Sequence, residues 1–133
     1  MKHFLFSILS AALLFTAAPC IGAQNPQEPD MDQVINTQLE TLTRTFKLDE
    51  VQVFFVDSVL QHNFPAMSQE FEETRKTGAS NQETYQIISD KWMAATDDAF
   101  QRIFTKEQWA KYMKSSYGKE KKRRDRRIQE RGL

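Results

Sequence analysis

Four stretches of the chain place apolar residues at helical intervals. Between about residues 30 and 46, Ile35, Leu39, Leu42 and Phe46 recur at spacings of four, three and four, which puts them on one side of a helix. The run "NPQEPD" before them, two prolines and then an aspartate able to cap, marks where that helix starts. A second stretch, about 49–76, carries Val53, Val56, Leu60, Phe64, Met67 and Phe71. Pro65 lies inside it, and a proline ring removes one helical hydrogen bond. The expectation is a kink there, with a break into two helices as the alternative. "TGASN" at residues 77–81 reads as a loop. A third stretch, about 82–104, aligns Tyr85, Ile88, Trp92, Ala95, Ala99 and Ile103; a fourth begins after Thr105 and fades into a basic tail.

One phrase occurs twice. "LDEVQV", from Leu48 to Val53, and "FTKEQW", from Phe104 to Trp109, share an order of residue types. Each has a large apolar residue, a small oxygen-bearing residue, two free positions, a glutamine and another apolar residue. With Asp49 as N-cap, Gln52 is the third helical residue, and the two side chains can satisfy each other's backbone N–H groups in a capping box. Leu48 then faces Val53 as a hydrophobic staple. Thr105, Gln108, Phe104 and Trp109 repeat those roles. Each cap is worth roughly 0.5–2 kcal/mol. The phrase therefore predicts two tight corners between helices.

Composition agrees with helices. Glycine and proline number four each, while Glu, Gln, Lys and Arg are common. "MKHFLFSILSAALLFTAAPCIGAQ" has the basic, apolar and small-residue order of a secretory signal peptide. Its apolar run of 15 residues, Phe4 to Ala18, is short of the ~20 that cross a bilayer. Cleavage after Ala23 is the expectation, which would leave Gln24 as the first residue and remove Cys20, the one cysteine. A lipid anchor on Cys20 is the lesser alternative, since Pro19 stands where a small residue is wanted. An exported chain without a disulfide has packing, association or both to hold it together.

The formal charge of zero hides a division. Residues 24–105 hold 14 acidic and 6 basic side chains, and residues 106–133 hold 4 acidic and 11 basic. The tail "GKEKKRRDRRIQERGL" is therefore set to meet an acidic body, its own or another's. Lys121, Lys122, Arg123, Arg124, Arg126 and Arg127 are the candidates for such steering. A solvated helix end is the plainer account of them. An exported protein gives little reason to read the tail as a nucleic-acid patch, and membrane contact is expected to be no more than weakly electrostatic.

Taken together, the two phrases resemble the paired Leu-Thr-x-x-Gln motifs of the Spy/CpxP family of Gram-negative periplasmic proteins. "AFQRIFTKEQWAKYMK" resembles the surroundings of that family's second motif, and the resemblance covers about Leu48 to Lys114. Asp49 stands in place of the first threonine and Phe104 in place of the second leucine, and both keep the capping chemistry. The resemblance implies an ATP-independent chaperone, a homodimer of long helices whose concave face holds unfolded clients. Some relatives instead damp a membrane-bound envelope-stress sensor, or bind zinc.

Apolar residues beyond the main stripes give the chaperone reading a separate motive. Phe54, Phe55 and Val59 lie beside the second stripe, and Met93 and Phe100 beside the third. Either a partner covers them or they face water as a binding patch; an ordinary core position is the alternative for each. Enzyme chemistry finds no footing. His62 is the only histidine past the leader, no serine or phosphate-binding glycine loop sits in a recognisable motif, and no cofactor is implied. Glu72–Glu73 and Asp97–Asp98 read as surface charge, and no ligand spacing suits a metal. The expectation is an all-α protein of about four helices, long, kinked and hairpin-like, paired as an elongated dimer. Residues 1–23 would be the leader, 24–118 the helical domain, and 119–133 a basic tail, helical or disordered. It would act in the periplasm on unfolded clients, or alternatively dock on a stress sensor.

Overall fold

The computed structural model describes residues 30–78 and 81–132. The expected leader and its expected cleavage site lie outside the described residues, as do positions 79 and 80 of the expected loop. Among the described residues five helices follow one another: α1 Met31–Phe46, α2 Glu50–Lys76, α3 Gln82–Ile103, α4 Lys106–Lys114 and α5 Ser116–Arg131. Among the described residues there is no strand. The fold is all-α. α2 runs through Pro65 as one helix, so the break does not occur.

Both corners form as the repeated phrase requires. At the first, Lys47 takes a left-handed conformation (φ 53°) that ends α1, and Asp49 then caps α2 with Gln52 in a full capping box. At the second, Thr105 caps α4 and Gln108 closes the box. Ile35, Leu42, Phe46, Leu48, Val56, Leu60, Phe100, Phe104 and Tyr112 make the core, which gathers at these corners. Phe46 lies 5.6 Å from Phe104 and 5.5 Å from Tyr112, centroid to centroid, and Phe104 lies 5.5 Å from Phe100.

The expected fourth segment is two helices. Ser115 ends α4 and caps α5, its hydroxyl accepting from the Tyr117 N–H at 3.2 Å. Gly118 then passes so near α4 that a Cβ there would collide with the Met113 backbone. Neither a frayed nor a disordered end describes residues 119–131, because α5 folds back on α3. α3 lies between α2 and α5, and so its buried positions are not a single apolar stripe. Tyr85 does meet Phe71 across the α2–α3 contact (5.4 Å). Ala95, however, is exposed, whereas Thr96 and Asp97 are buried.

Candidate functional site

The first turns of α2 carry the feature that packing does not explain. Val51, Phe54 and Phe55 are 64%, 66% and 50% exposed. Val51 is three residues before Phe54 and four before Phe55, so all three share one helix surface. The two phenyl rings meet edge-on at 5.5 Å. The opposite side of the same turns is spent on the core, through Gln52, Val56 and Leu60. The apolar shelf continues into a groove of about 330 Å3 between α2 and α3. Phe55, Val59 and His62 line one wall of it, and Ala95, Ala99 and Ile103 the other. Asn63 closes the floor, donating to the Thr96 hydroxyl at 2.9 Å.

The five candidates for client contact therefore do not form one surface. Phe54 and Phe55 are exposed as expected, and Val59 is half-buried at the groove. Met93 is half-buried and lines a different cavity, between α3 and α5. Phe100 is 2% exposed and belongs to the core, stacked on Phe104 where α3 meets the corner. Its place on α3, between two neighbouring helices, is what a single-stripe reading of that helix misses.

The six corner residues come together more closely than two separate caps would. Gln52 Oε1 accepts from the Asp49 N–H at 3.1 Å, and Gln108 Oε1 accepts from the Thr105 N–H at 2.9 Å. Each amide nitrogen then reaches across to the other corner. Gln52 Nε2 donates to the Ile103 carbonyl at 3.0 Å, and Gln108 Nε2 donates to the Phe46 carbonyl at 3.2 Å. The two amides also bond one another, at 2.6 and 3.1 Å. Each glutamine thus satisfies the start of its own helix and the carbonyl end of the helix before the other corner. The repetition in sequence is a joint in space, with Leu48 and Phe104 buried on either side of it.

The basic tail is divided by its own helix. Arg124, 6% exposed, donates to Asp97 at 2.8 Å, and Asp97 is fully buried. Tyr112 donates its hydroxyl to the other Asp97 oxygen at 2.6 Å. Arg127 and Arg131 both bond Asp90, at 2.7 Å each. Asp97 is therefore no surface charge, and Arg124 and Arg127 are not free to steer a partner. Lys121 pairs with Asp125 and Arg123 with Glu120, within α5. Lys122 and Arg126 remain exposed on its outer side. Asp90 and Asp97 are seven residues apart, and Arg124, Arg127 and Arg131 recur at three and four. Those matched helical spacings were the signal available in the sequence.

Electrostatics follow the geometry. Burial raises the Asp90 carboxyl, but hydrogen bonds from Arg127, Arg131 and Gln86 outweigh it and leave a pKa of about 2. Burial pushes the Asp97 carboxyl above its ordinary value despite Tyr112 and Arg124. Burial, with that carboxylate beside it, also pushes the Tyr112 hydroxyl upward. Among the described residues, no cluster of three His, Cys, Asp or Glu is placed to hold a metal ion. None of their helices is long and apolar enough to cross a membrane. Compared with protein-family models, curated proteins and solved structures, the chain has no match.

Proposed function

We propose that this protein is an ATP-independent, chaperone-like binder of unfolded or partly folded polypeptides, acting in the periplasm as the Spy/CpxP resemblance implies. One observation carries the reading: Val51, Phe54 and Phe55 stand in solvent as a continuous apolar shelf on a rigid helix. A shelf of this kind fits clients by apolar contact and asks for no particular sequence, which suits promiscuous holding. The groove beside it extends the contact. The homodimer implied by the resemblance belongs to the same proposal.

The test is suppression of aggregation. Purified protein without ATP, at near-stoichiometric amounts, should lower light scattering from several unrelated unfolding substrates. Phe54→Ser combined with Phe55→Ser should lower that suppression while helicity by circular dichroism stays unchanged, because neither ring is part of the core. Failure on every substrate ends the chaperone reading. Docking on a single membrane-bound stress sensor would then be the better account, and one stoichiometric partner from a periplasmic extract would be its sign.

A further inference from the structure

The groove between α2 and α3 has mostly apolar walls, interrupted by Ser58, His62 and Asn63, and it is charged at the end where Arg102 stands. Arg102, in the last turn of α3, lines it beside Ile103 and opposite Phe55. Among the described residues it has no ion pair and no side-chain hydrogen bond partner, and it is exposed. The other cations of α2 and α3 are differently placed. Lys91 is tied to Glu70 at 2.8 Å and Arg75 to Glu72 at 2.6 Å. Lys76 is at the far end of α2. Asp98, one turn before Arg102, and Asp57, next to Ser58, are not part of the lining. Ala95 and Ala99, one turn apart, leave the α3 wall low, and Phe55 and Val59 stand over it.

From this arrangement we infer that the groove binds an apolar polypeptide segment carrying an aspartate or glutamate, and that Arg102 selects it by pairing with that carboxylate. The inference rests on the proposed client-binding function and names the client chemistry the site prefers. A groove of about 330 Å3 is at the small end of sites that take a ligand, and it suits a side chain or two of a chain running across it. Among the described residues the lining holds no carboxylate and Arg102 is its one arginine or lysine, so Arg102 decides between otherwise equal segments. The excess of acidic residues over the rest of residues 24–105 does not cancel this preference. Exposed charges farther apart than about 8 Å are largely screened at physiological ionic strength, whereas the carboxylate at Arg102 is in contact. Position in the last turn also lets Arg102 favour the α3 dipole, but that role would be indifferent to the client.

The experiment uses labelled apolar peptides identical except for one central Asp, Asn or Lys, with fluorescence anisotropy as the readout. The wild-type protein should bind the Asp peptide about two- to fivefold more tightly than its Asn twin, the range an exposed ion pair supplies. Half-molar salt should flatten the difference. Arg102→Gln should erase it, and Arg102→Glu should reverse the ranking in favour of the Lys peptide. Thermal melts of both variants check that the fold persists, and a purely structural Arg102 would move the melts and leave the ranking alone. An unchanged ranking in Arg102→Glu, or equal binding of Asp and Asn peptides by the wild type, overturns this inference and leaves client binding standing. No binding of any peptide overturns both.

Discussion

Replacing Asp97 by asparagine should do more damage than its position in a run of two aspartates suggests. The carboxylate is fully buried and holds the Tyr112 hydroxyl on one oxygen and the Arg124 guanidinium on the other. Arg124 is itself buried, and its Nε already has no partner. Asparagine keeps the shape and removes the charge, leaving a guanidinium inside the protein with nothing to neutralise it. Breaking one side of a buried pair in this way costs about 3–5 kcal/mol. A small domain has a total stability of about 5–15 kcal/mol, so the loss is a large fraction of it. The loss should be felt first in α5, whose partly buried apolar residues are few and whose docking depends on ions. Urea unfolding followed by circular dichroism should show the drop, and amide exchange should accelerate in residues 116–131 before it does in α1 or α2. Asp97→Leu with Arg124→Met, which removes both charges, should recover most of the loss, apart from about 1 kcal/mol for the stranded Tyr112 hydroxyl. A loss below about 1 kcal/mol in Asp97→Asn would mean that the pair behaves like a surface salt bridge, and the account of α5 would be wrong.

Two more outcomes follow from the geometry. Gln52→Leu and Gln108→Leu should each destabilise by about 2 kcal/mol, more than Asp49→Ala or Thr105→Ala at about 1 kcal/mol, since each glutamine serves both corners; chemical denaturation of the four variants checks the order, which treating the glutamines as mere capping-box helpers would reverse. Asp90 makes the pH prediction: its folded pKa of about 2 is below the ordinary 3.8, so it contributes stability at neutral pH that is lost as pH falls from about 4 towards 2. The contribution is about 2 kcal/mol, and Asp90→Asn should show a shallower acid limb in melts across that window. Asp97 moves in the opposite direction, but it is common to both proteins and drops out of the comparison.

The helices and both corners were legible because their signals are local. A cap, its glutamine and its staple lie within six residues, and α1, α2 and α3 begin and end within a residue or so of where periodicity and caps put them. Two things were less legible. The joint between Gln52 and Gln108 spans 56 residues; the repetition was visible, but nothing in one phrase says that it touches the other. The tail looked solvated because its composition is that of a solvated helix. What folds it is a pair of aspartates 27 and 37 residues upstream; the adjacency of Asp97 to Asp98 reads as surface charge, and nothing local to Asp90 announces its partners. A helix covered on two sides, as α3 is, has no single apolar stripe to read, which is also why the core position of Phe100 does not show in the sequence. The same interleaving separates Met93 from Phe54 and Phe55, although all three looked like spare apolar surface.

The placing of polar and apolar residues is the strongest physical reason to look for a function at the start of α2. Asp97, Arg124, Thr96 and Asn63 are inside, where each needs a partner and gives little net stability. Val51, Phe54 and Phe55 are half to two-thirds exposed, so each forgoes roughly 1–2 kcal/mol that full burial would have given. Summed over the three, that is roughly 3–6 kcal/mol, a sizeable fraction of the stability of a small domain. Scattered exposed hydrophobes need no explanation, but these three adjoin one another and open onto a groove that has Arg102 at its end. Nor is the helix short of room to hide them, since the other side of the same turns is buried in the core. A fold that closes its two corners with a reciprocal pair of amides leaves α2 firmly anchored beneath that shelf. Rigid support under an apolar surface is what a binding site requires, because the contact it offers is not diminished by having to order itself first.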